Sequence, residues 1–298
     1  MRLFLLTLLN GLTLGALYFV VASGFTLIFG LMRNVNLAHG SLYLLGGYLG
    51  YGVIARTDSW ALGLVVAFLV IAMLGMALQV LVFRRMEGQD LRQTLVTIAL
   101  SIVLADLMQW IWGGDFYQIQ TPDWLYGAVT LPIVVGATAG GGDPVYLQYP
   151  MLRLFILAVA IVVGLLLWLM LNRTRVGTII RAGVDDGEML SATGVNIQLV
   201  FVLVFALGAG LAGVGGVIGG TFQAIAPGED VKTLLASLVV VIVGGMGSVV
   251  GTALGAALIG LAEQIGSVYM PTYAVILTFL IMVVVLAFRP QGIMGARR

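Results

Sequence analysis

Six ionisable side chains crowd into one stretch, Asn172 to Gln198, reading NRTRVGTIIRAGVDDGEMLSATGVNIQ: Arg173, Arg175, Arg181, Asp185, Asp186 and Glu188. The chain around it is 9% charged. Asp185 to Thr193 reads as a short helix with acids in its first turn, where the positive end of the helix dipole favours them. Gly194 supplies its stop. Such an island has the chemistry of a docking surface for a soluble partner, and the plain alternative is a solvated loop. A second group, Asn34, Asn36, His39 and Ser41, sits at the edge of an apolar run. Polar groups there must find partners inside the protein or beside a water-filled cavity. Asn36 suits a helix start, and His39 suits a neighbouring backbone carbonyl. A lone histidine makes no metal site.

The third group is Gly244, Gly245, Gly247, Gly251 and Gly255. The last three fall at four-residue steps, a face on which two helices pack backbone to backbone. Gly244-Gly245 breaks helical geometry, and broken helices near a pathway are a transporter device. Two acids, Asp106 and Glu263, lie inside apolar runs. Glu263 sits deep, facing a neighbour or a cavity, the position an ion-coupled carrier would use. Asp106 lies near the outer end of its run, within reach of interfacial water.

The elements that must position these groups are membrane helices. The chain has 298 residues, and 61% of them are hydrophobic. Its mean hydropathy is +1.12, and several apolar runs reach the roughly 20 residues that cross a bilayer. The expected fold is an all-α polytopic bundle of about 8–9 transmembrane segments with one broken or re-entrant short segment. The runs are 3–31, 37–55, 60–83, 94–112, 151–171, 199–221, 233–243, 249–266 and 273–288. The first is too long for a cleavable signal and reads as a membrane helix. Residues 113–150 form a long external loop, and 172–198 form an internal one. Gly11 and Gly15 make a GxxxG pair, and Gly46 and Gly50 line a small-residue face, so close helix crossings are expected.

Ten of the fourteen basic residues fall on one side: Arg33, Arg84, Arg85, Arg92, Arg173, Arg175, Arg181, Arg289, Arg297 and Arg298. The positive-inside rule makes that side cytoplasmic. The N-terminus then lies outside and the C-terminus inside. The opposite side carries the acids Asp58, Asp115, Asp123, Asp143, Glu229 and Asp230. With no cysteine, thiolate catalysis and Cys-based metal sites are excluded. A net charge of +1 gives no general attraction to nucleic acid. Neither a Walker A pattern nor a paired catalytic constellation occurs.

The sequence resembles the LivH-type permease subunit of bacterial branched-chain amino acid ABC importers. The resemblance is carried by NVNLAHG (34–40), RAGVDDGEMLSATGVN (181–196), GGMGSVVGTALGA (244–256) and FRPQGIMG (288–295). It runs from the first helix to the tail. It implies a permease of the bacterial inner membrane with no catalysis of its own, bedded in lipid. It also implies a homologous LivM-like permease, two cytoplasmic ATPases that bind ATP and Mg, and a periplasmic solute-binding protein. Under it the island becomes the coupling loop, with Arg181, Asp185, Asp186, Glu188, Met189, Gly194 and Asn196 carried over by position. Asn34, Asn36, His39, Ser41 and Glu263 are candidates for the pathway or a helix junction. Similar permeases serve urea, short amides and aromatic acids as well as branched-chain amino acids. The rival class is a stand-alone ion-coupled carrier.

Overall fold

The computed structural model describes residues 2–32, 35–137, 144–185, 189–190 and 194–295. Ten α-helices are numbered here in chain order: α1 (Arg2–Met32), α2 (His39–Thr57), α3 (Trp60–Leu81), α4 (Asp90–Trp112), α5 (Met151–Arg173), α6 (Arg175–Asp185), α7 (Ile197–Phe222), α8 (Glu229–Gly244), α9 (Val249–Tyr269) and α10 (Ala274–Phe288). Seven of them, α1, α3, α4, α5, α7, α9 and α10, are long and apolar enough to cross a membrane. The expected membrane bundle is present. The shorter α2 and α8 complete it from inside.

α1 and α7 form the centre, and each is buried along most of its length. Glycine makes this possible. A methyl group added at Gly15 of α1 would lie 2.5 Å from the carbonyl oxygen of Ala256 in α9. The same addition at Gly24 would meet the Gly208 carbonyl of α7 at 2.3 Å, and at Gly46 of α2 the Gly213 Cα at 2.4 Å. Backbones this close exchange dispersion contacts along whole helix turns, the main source of cohesion where lipid is as apolar as leucine. The peripheral helices differ. α4, α5 and α10 turn rows of large apolar side chains outward, among them Leu95, Ile102, Ile161, Leu165, Val275 and Val283. That is the surface of a protein solvated by hydrocarbon.

One end of the bundle carries an antiparallel hairpin, β1 (Ala128–Ala137) with β2 (Pro144–Pro150). It stands within 113–150, the stretch read from the sequence as a long non-helical loop. Alternation exposes the hairpin weakly in the sequence, because Pro132 and Gly136 interrupt β1 and the pairing register shifts on both sides of Val134. Tyr149 is fully buried and its hydroxyl meets Thr13 of α1 at 2.8 Å. Burial raises the Tyr149 phenol above its ordinary pKa, and the Thr13 hydroxyl and Arg153 work against that rise. Arg153 also reaches Asn10 and stands 5.6 Å over the Phe222 ring. Trp60 donates its indole N–H to Thr221 at 3.0 Å and packs edge-on to Trp124 and Phe155. Aromatic residues with one polar atom suit the depth where hydrocarbon meets water.

The opposite end holds Arg84, Arg85, Arg92, Arg173, Arg175, Arg181 and Arg289. The charge segregation read from the sequence therefore corresponds to two physical ends of one bundle. Two assignments along the chain need correction. Residues 172–198 are not one loop: Arg175–Asp185 is a helix with Ile180 buried against the bundle. Residues 222–232 are not all loop either, because α8 begins at Glu229 and carries Asp230 into the interior at 5% exposure.

Candidate functional site: a mid-depth helix junction and a basic-end elbow

The first site is the start of α2. The His39 ring places it in depth. Its Nε2 lies 3.0 Å from the Val21 carbonyl of α1, and Phe25 packs edge-on at 5.4 Å. Val21 is eleven residues before Met32, the end of α1, or about 16 Å along the helix axis. α2 therefore starts near the middle of the bundle. Asn36 and Ala38 are already buried, and the backbone becomes helical only at His39. Asn36 does not occupy the cap position itself, which falls to Ala38 without a side-chain cap. Instead its Oδ1 accepts from the Ala38 N–H at 3.1 Å, a local turn that sets up the helix. The Leu37 N–H donates to Thr97 of α4 at 3.2 Å.

Ser41, in the first turn of α2, donates to the Asp230 carboxylate of α8 at 3.2 Å and lies 3.4 Å from the Ser101 carbonyl of α4. Asp230 was missed as an interior residue, although a signal existed. Gly228-Glu229-Asp230 before an apolar run is the pattern of a helix start with acids in its first turn. Glu263 of α9 accepts from the Tyr18 hydroxyl of α1 at 2.8 Å. It does not join Asn36 and His39 through any hydrogen bond described. Asp106 lies on an exposed face of α4. Asn34 falls outside the described residues. No group of three metal-ligating side chains occurs among the described residues.

The Tyr18–Glu263 bond sets up a prediction. Glutamine at position 263 keeps an oxygen for the Tyr18 hydroxyl and removes the charge. Glu263→Gln should leave transport within about fivefold of the wild type, since neutral hydrogen bonds contribute only ~1 kcal/mol. Uptake assays in cells or vesicles check it, and a collapse of transport would restore the ion-coupled alternative.

The second site gathers motifs that are far apart in sequence. α8 ends at Gly244, and the chain reverses through Gly245 (φ +107°) and Gly247 (φ +83°). These dihedrals favour glycine. Gly247 thus belongs to the turn and not to the helix face expected of it, since α9 begins only at Val249. Gly251 and Gly255 lie against the backbone of α8. Added methyls there would meet the Gly244 carbonyl oxygen at 2.2 Å and the Val240 carbonyl oxygen at 2.5 Å. Ser248 caps α9 through the Gly251 N–H at 3.1 Å. The Gly247 N–H donates to Thr26 of α1 at 3.1 Å. The tail then comes back to this turn. Ile293 and Met294 donate their N–H groups to the carbonyls of Val243 and Gly244, each at 2.9 Å. Two of the orphan carbonyls at the end of α8 are satisfied this way.

Beside this turn lies a cleft of about 880 Å³, bounded by Thr26, Asn172, Arg181, Ser248 and Gln291 among others. Arg181 does not simply face outward. Its guanidinium donates to the Leu171 carbonyl at the end of α5 and lies 3.5 Å from Asn172 Oδ1. A cation there satisfies terminal carbonyls and complements the negative helix end. Asn196 caps α7 through the Leu199 N–H at 3.2 Å. Gly194 adopts φ +87°. Met189 is helical and 67% exposed. Asp186 and Glu188 lie outside the described residues, as does most of the short helix expected over 185–193. Asp185 closes α6 in its backbone.

Residues 7–286 match a family model described as the branched-chain amino acid transport system, permease component. The chain belongs to that family. It is 30% identical to the high-affinity branched-chain amino acid transport system permease protein BraD of Pseudomonas aeruginosa, with 98% of this chain and 96% of that protein covered. Identity to the permease protein LivH of Escherichia coli K12 is 27% over the same shares. A probable branched-chain amino acid transport permease LivH of Methanocaldococcus jannaschii is 24% identical, over 93% of this chain and 88% of that one. No solved structure matches. Membership agrees with the bundle described above, a multi-pass membrane protein of the permease class. It also gives the two sites a common context: one lies inside the permease at mid-depth, and the other lies at the end that carries its positive charge.

Proposed function

We propose that this chain is the membrane-spanning permease subunit of an ATP-driven importer for branched-chain amino acids or closely related small zwitterions. The observation that carries the reading is the family match across 7–286, joined to relatives whose names specify high-affinity branched-chain amino acid transport. In this reading the permease sits in the bacterial inner membrane beside a LivM-like permease. The basic end faces the cytoplasm, following the positive-inside rule, and the hairpin end faces the periplasm. A periplasmic binding protein delivers solute to the hairpin end. Two ATPase subunits, holding ATP and Mg, dock under the elbow made by α6, Met189 and the segment leading to α7.

The permease does no bond chemistry. Its work is conformational: ATP-driven closure of the partner pair displaces the elbow, and the displacement reaches α5 and α7 because the elbow is continuous with both. Glycine-lined contacts move as blocks, since close-packed backbones shift between discrete arrangements and do not deform smoothly.

Charge reversal tests the docking role. Asp185→Lys with Asp186→Lys should lower ATP-dependent leucine uptake by at least tenfold while the chain stays in the membrane at its normal level. Like charges facing each other across a docking groove cost about what one buried charge pair is worth, and each ~1.4 kcal/mol is tenfold. Normal uptake in the double variant overturns the reading. So does solute movement by the purified chain alone under an ion gradient without nucleotide.

A further inference from the structure

α2 and α8 both begin inside the bundle, and they begin at the same place. A methyl added at Gly40 of α2 would lie 2.1 Å from the Asp230 carbonyl oxygen and 2.8 Å from the Leu234 Cβ of α8. Each helix start is a positive dipole end, and the first N–H of each is taken by a preceding carbonyl, Asn36 for His39 and Ala226 for Glu229. Between them sits the Asp230 carboxylate, 5% exposed, with the Ser41 hydroxyl as its side-chain donor. Among the described residues the one ion pair is Lys232 with Glu229, so Asp230 has no cation.

The start of α2 also holds a hydrogen-bonding atom with nothing to bond. Asn36 is 5% exposed, and its Oδ1 is pinned to the Ala38 N–H, which fixes the amide at the start of α2. Its Nδ2 has no partner. Farther off, the His39 Nδ1, on the side of α2 that meets α1, and the Ser237 hydroxyl, seven residues along α8 from Asp230, have none either. Buried polar atoms are nearly always paired. An orphan donor at the start of α2, where Ser41 holds a carboxylate that has no cation, at mid-depth of a protein that moves solute, fits a site completed by a guest. The donors and acceptors also divide by sign. Asn36 Nδ2 and the helix N–H groups attract an anion, and Asp230 attracts a cation.

We infer that the α2–α8 junction is a transient station for the charged end of a zwitterionic α-amino acid, with Asp230 receiving the ammonium and Asn36 Nδ2, with the first turn of α2, receiving the carboxylate. The inference rests on the importer reading above and adds residues and polarity to it. It predicts selection against solutes lacking either charge, inside the permease and independently of the binding protein.

Two isosteric variants test it in vesicles that hold the complete importer, loaded with ATP and given binding protein and labelled leucine. Asp230→Asn keeps an acceptor for Ser41 and removes the charge. Asn36→Asp keeps the oxygen that holds Ala38 and replaces the orphan donor with an acceptor. Each should lower leucine uptake about tenfold or more, the scale of one charge-assisted hydrogen bond. ATP hydrolysis stimulated by the binding protein should persist, so ATP consumed per leucine rises by the same factor. Asp230→Glu should recover at least half of the wild-type rate.

Uptake within twofold of wild type in both isosteric variants overturns the station. Hydrolysis and uptake falling together, with Asp230→Glu equally poor, assigns the junction a purely structural role and also overturns it. If the isosteric variants fail to assemble, Ser41→Ala decides. A threefold or greater rise in ATP per leucine supports the station, and unchanged coupling overturns it. A wild-type importer that moves no leucine with ATP present discards the functional reading itself, a result distinct from normal wild-type uptake with unaffected variants.

Discussion

Gly216→Val is expected to abolish the folded permease. The glycine lies in α7 where that helix crosses α2, and a Cβ there would stand 2.0 Å from the Tyr43 carbonyl oxygen and 2.6 Å from the Gly47 nitrogen. Both obstacles are backbone. No rotamer relieves them, so α2 must move away from α7 as a unit, and the neighbouring contact between Gly46 and Gly213 opens with it. Overpacking by added methylenes typically costs 1–3 kcal/mol when side chains can give way. Here they cannot, and a loss above about 3 kcal/mol is expected, a large fraction of a typical folding stability. Thermal unfolding of the detergent-solubilised protein, or its loss as a monodisperse species, checks this. Gly52→Ala in α2, the helix that Gly216 crosses, is the control, because nothing lies within 4 Å of the added methyl. An unfolding temperature for Gly216→Val equal to the control's would refute the packing account.

The second large effect is expected at Arg181. Its guanidinium ties α6 to the last turn of α5 through the Leu171 carbonyl and Asn172. Gly177 lets the chain turn tightly there, since a Cβ would meet the Leu171 carbonyl oxygen at 2.1 Å. Removing the guanidinium leaves the α5 end uncapped and the elbow free to swing. Arg181→Ala should therefore insert and assemble normally but transmit poorly, with ATP-dependent uptake falling on the order of tenfold, the worth of a charge-assisted hydrogen bond. Arg181→Lys should recover only part of it, because a single ammonium replaces a planar donor fork. Uptake and hydrolysis measured in parallel decide the matter. Equal loss of both would place Arg181 in ATPase docking and not in the stiffness of the elbow.

Much of this was legible in the sequence because membrane helices declare themselves by length and apolarity. The GxxxG pair Gly11 and Gly15 reads directly as a close crossing, and it packs on α9. The segregation of arginines reads directly as two ends. His39 reads as a ring seeking a backbone carbonyl, and it has one at Val21. Depth was not legible. Asp230 looks like a surface acid because it follows Pro227 and Gly228, and only the re-entry of α8 carries it inside. The hairpin was hidden by the proline and bulges of β1. Gly247 fits a four-residue period in sequence but serves a turn, since periodicity cannot tell where a helix begins. The union of the 244–256 and 288–295 motifs is a long-range pairing, and no local pattern announces it.

The pairing of Ile293 and Met294 with the last carbonyls of α8 has a consequence for how the protein is made. α8 enters the membrane some fifty residues before its partners emerge from the ribosome. Until residue 294 is synthesised, the carbonyls of Val243 and Gly244 must be met by water or by a chaperoning surface. The seal at the basic end of the bundle thus sets only after the chain has been made through residue 294.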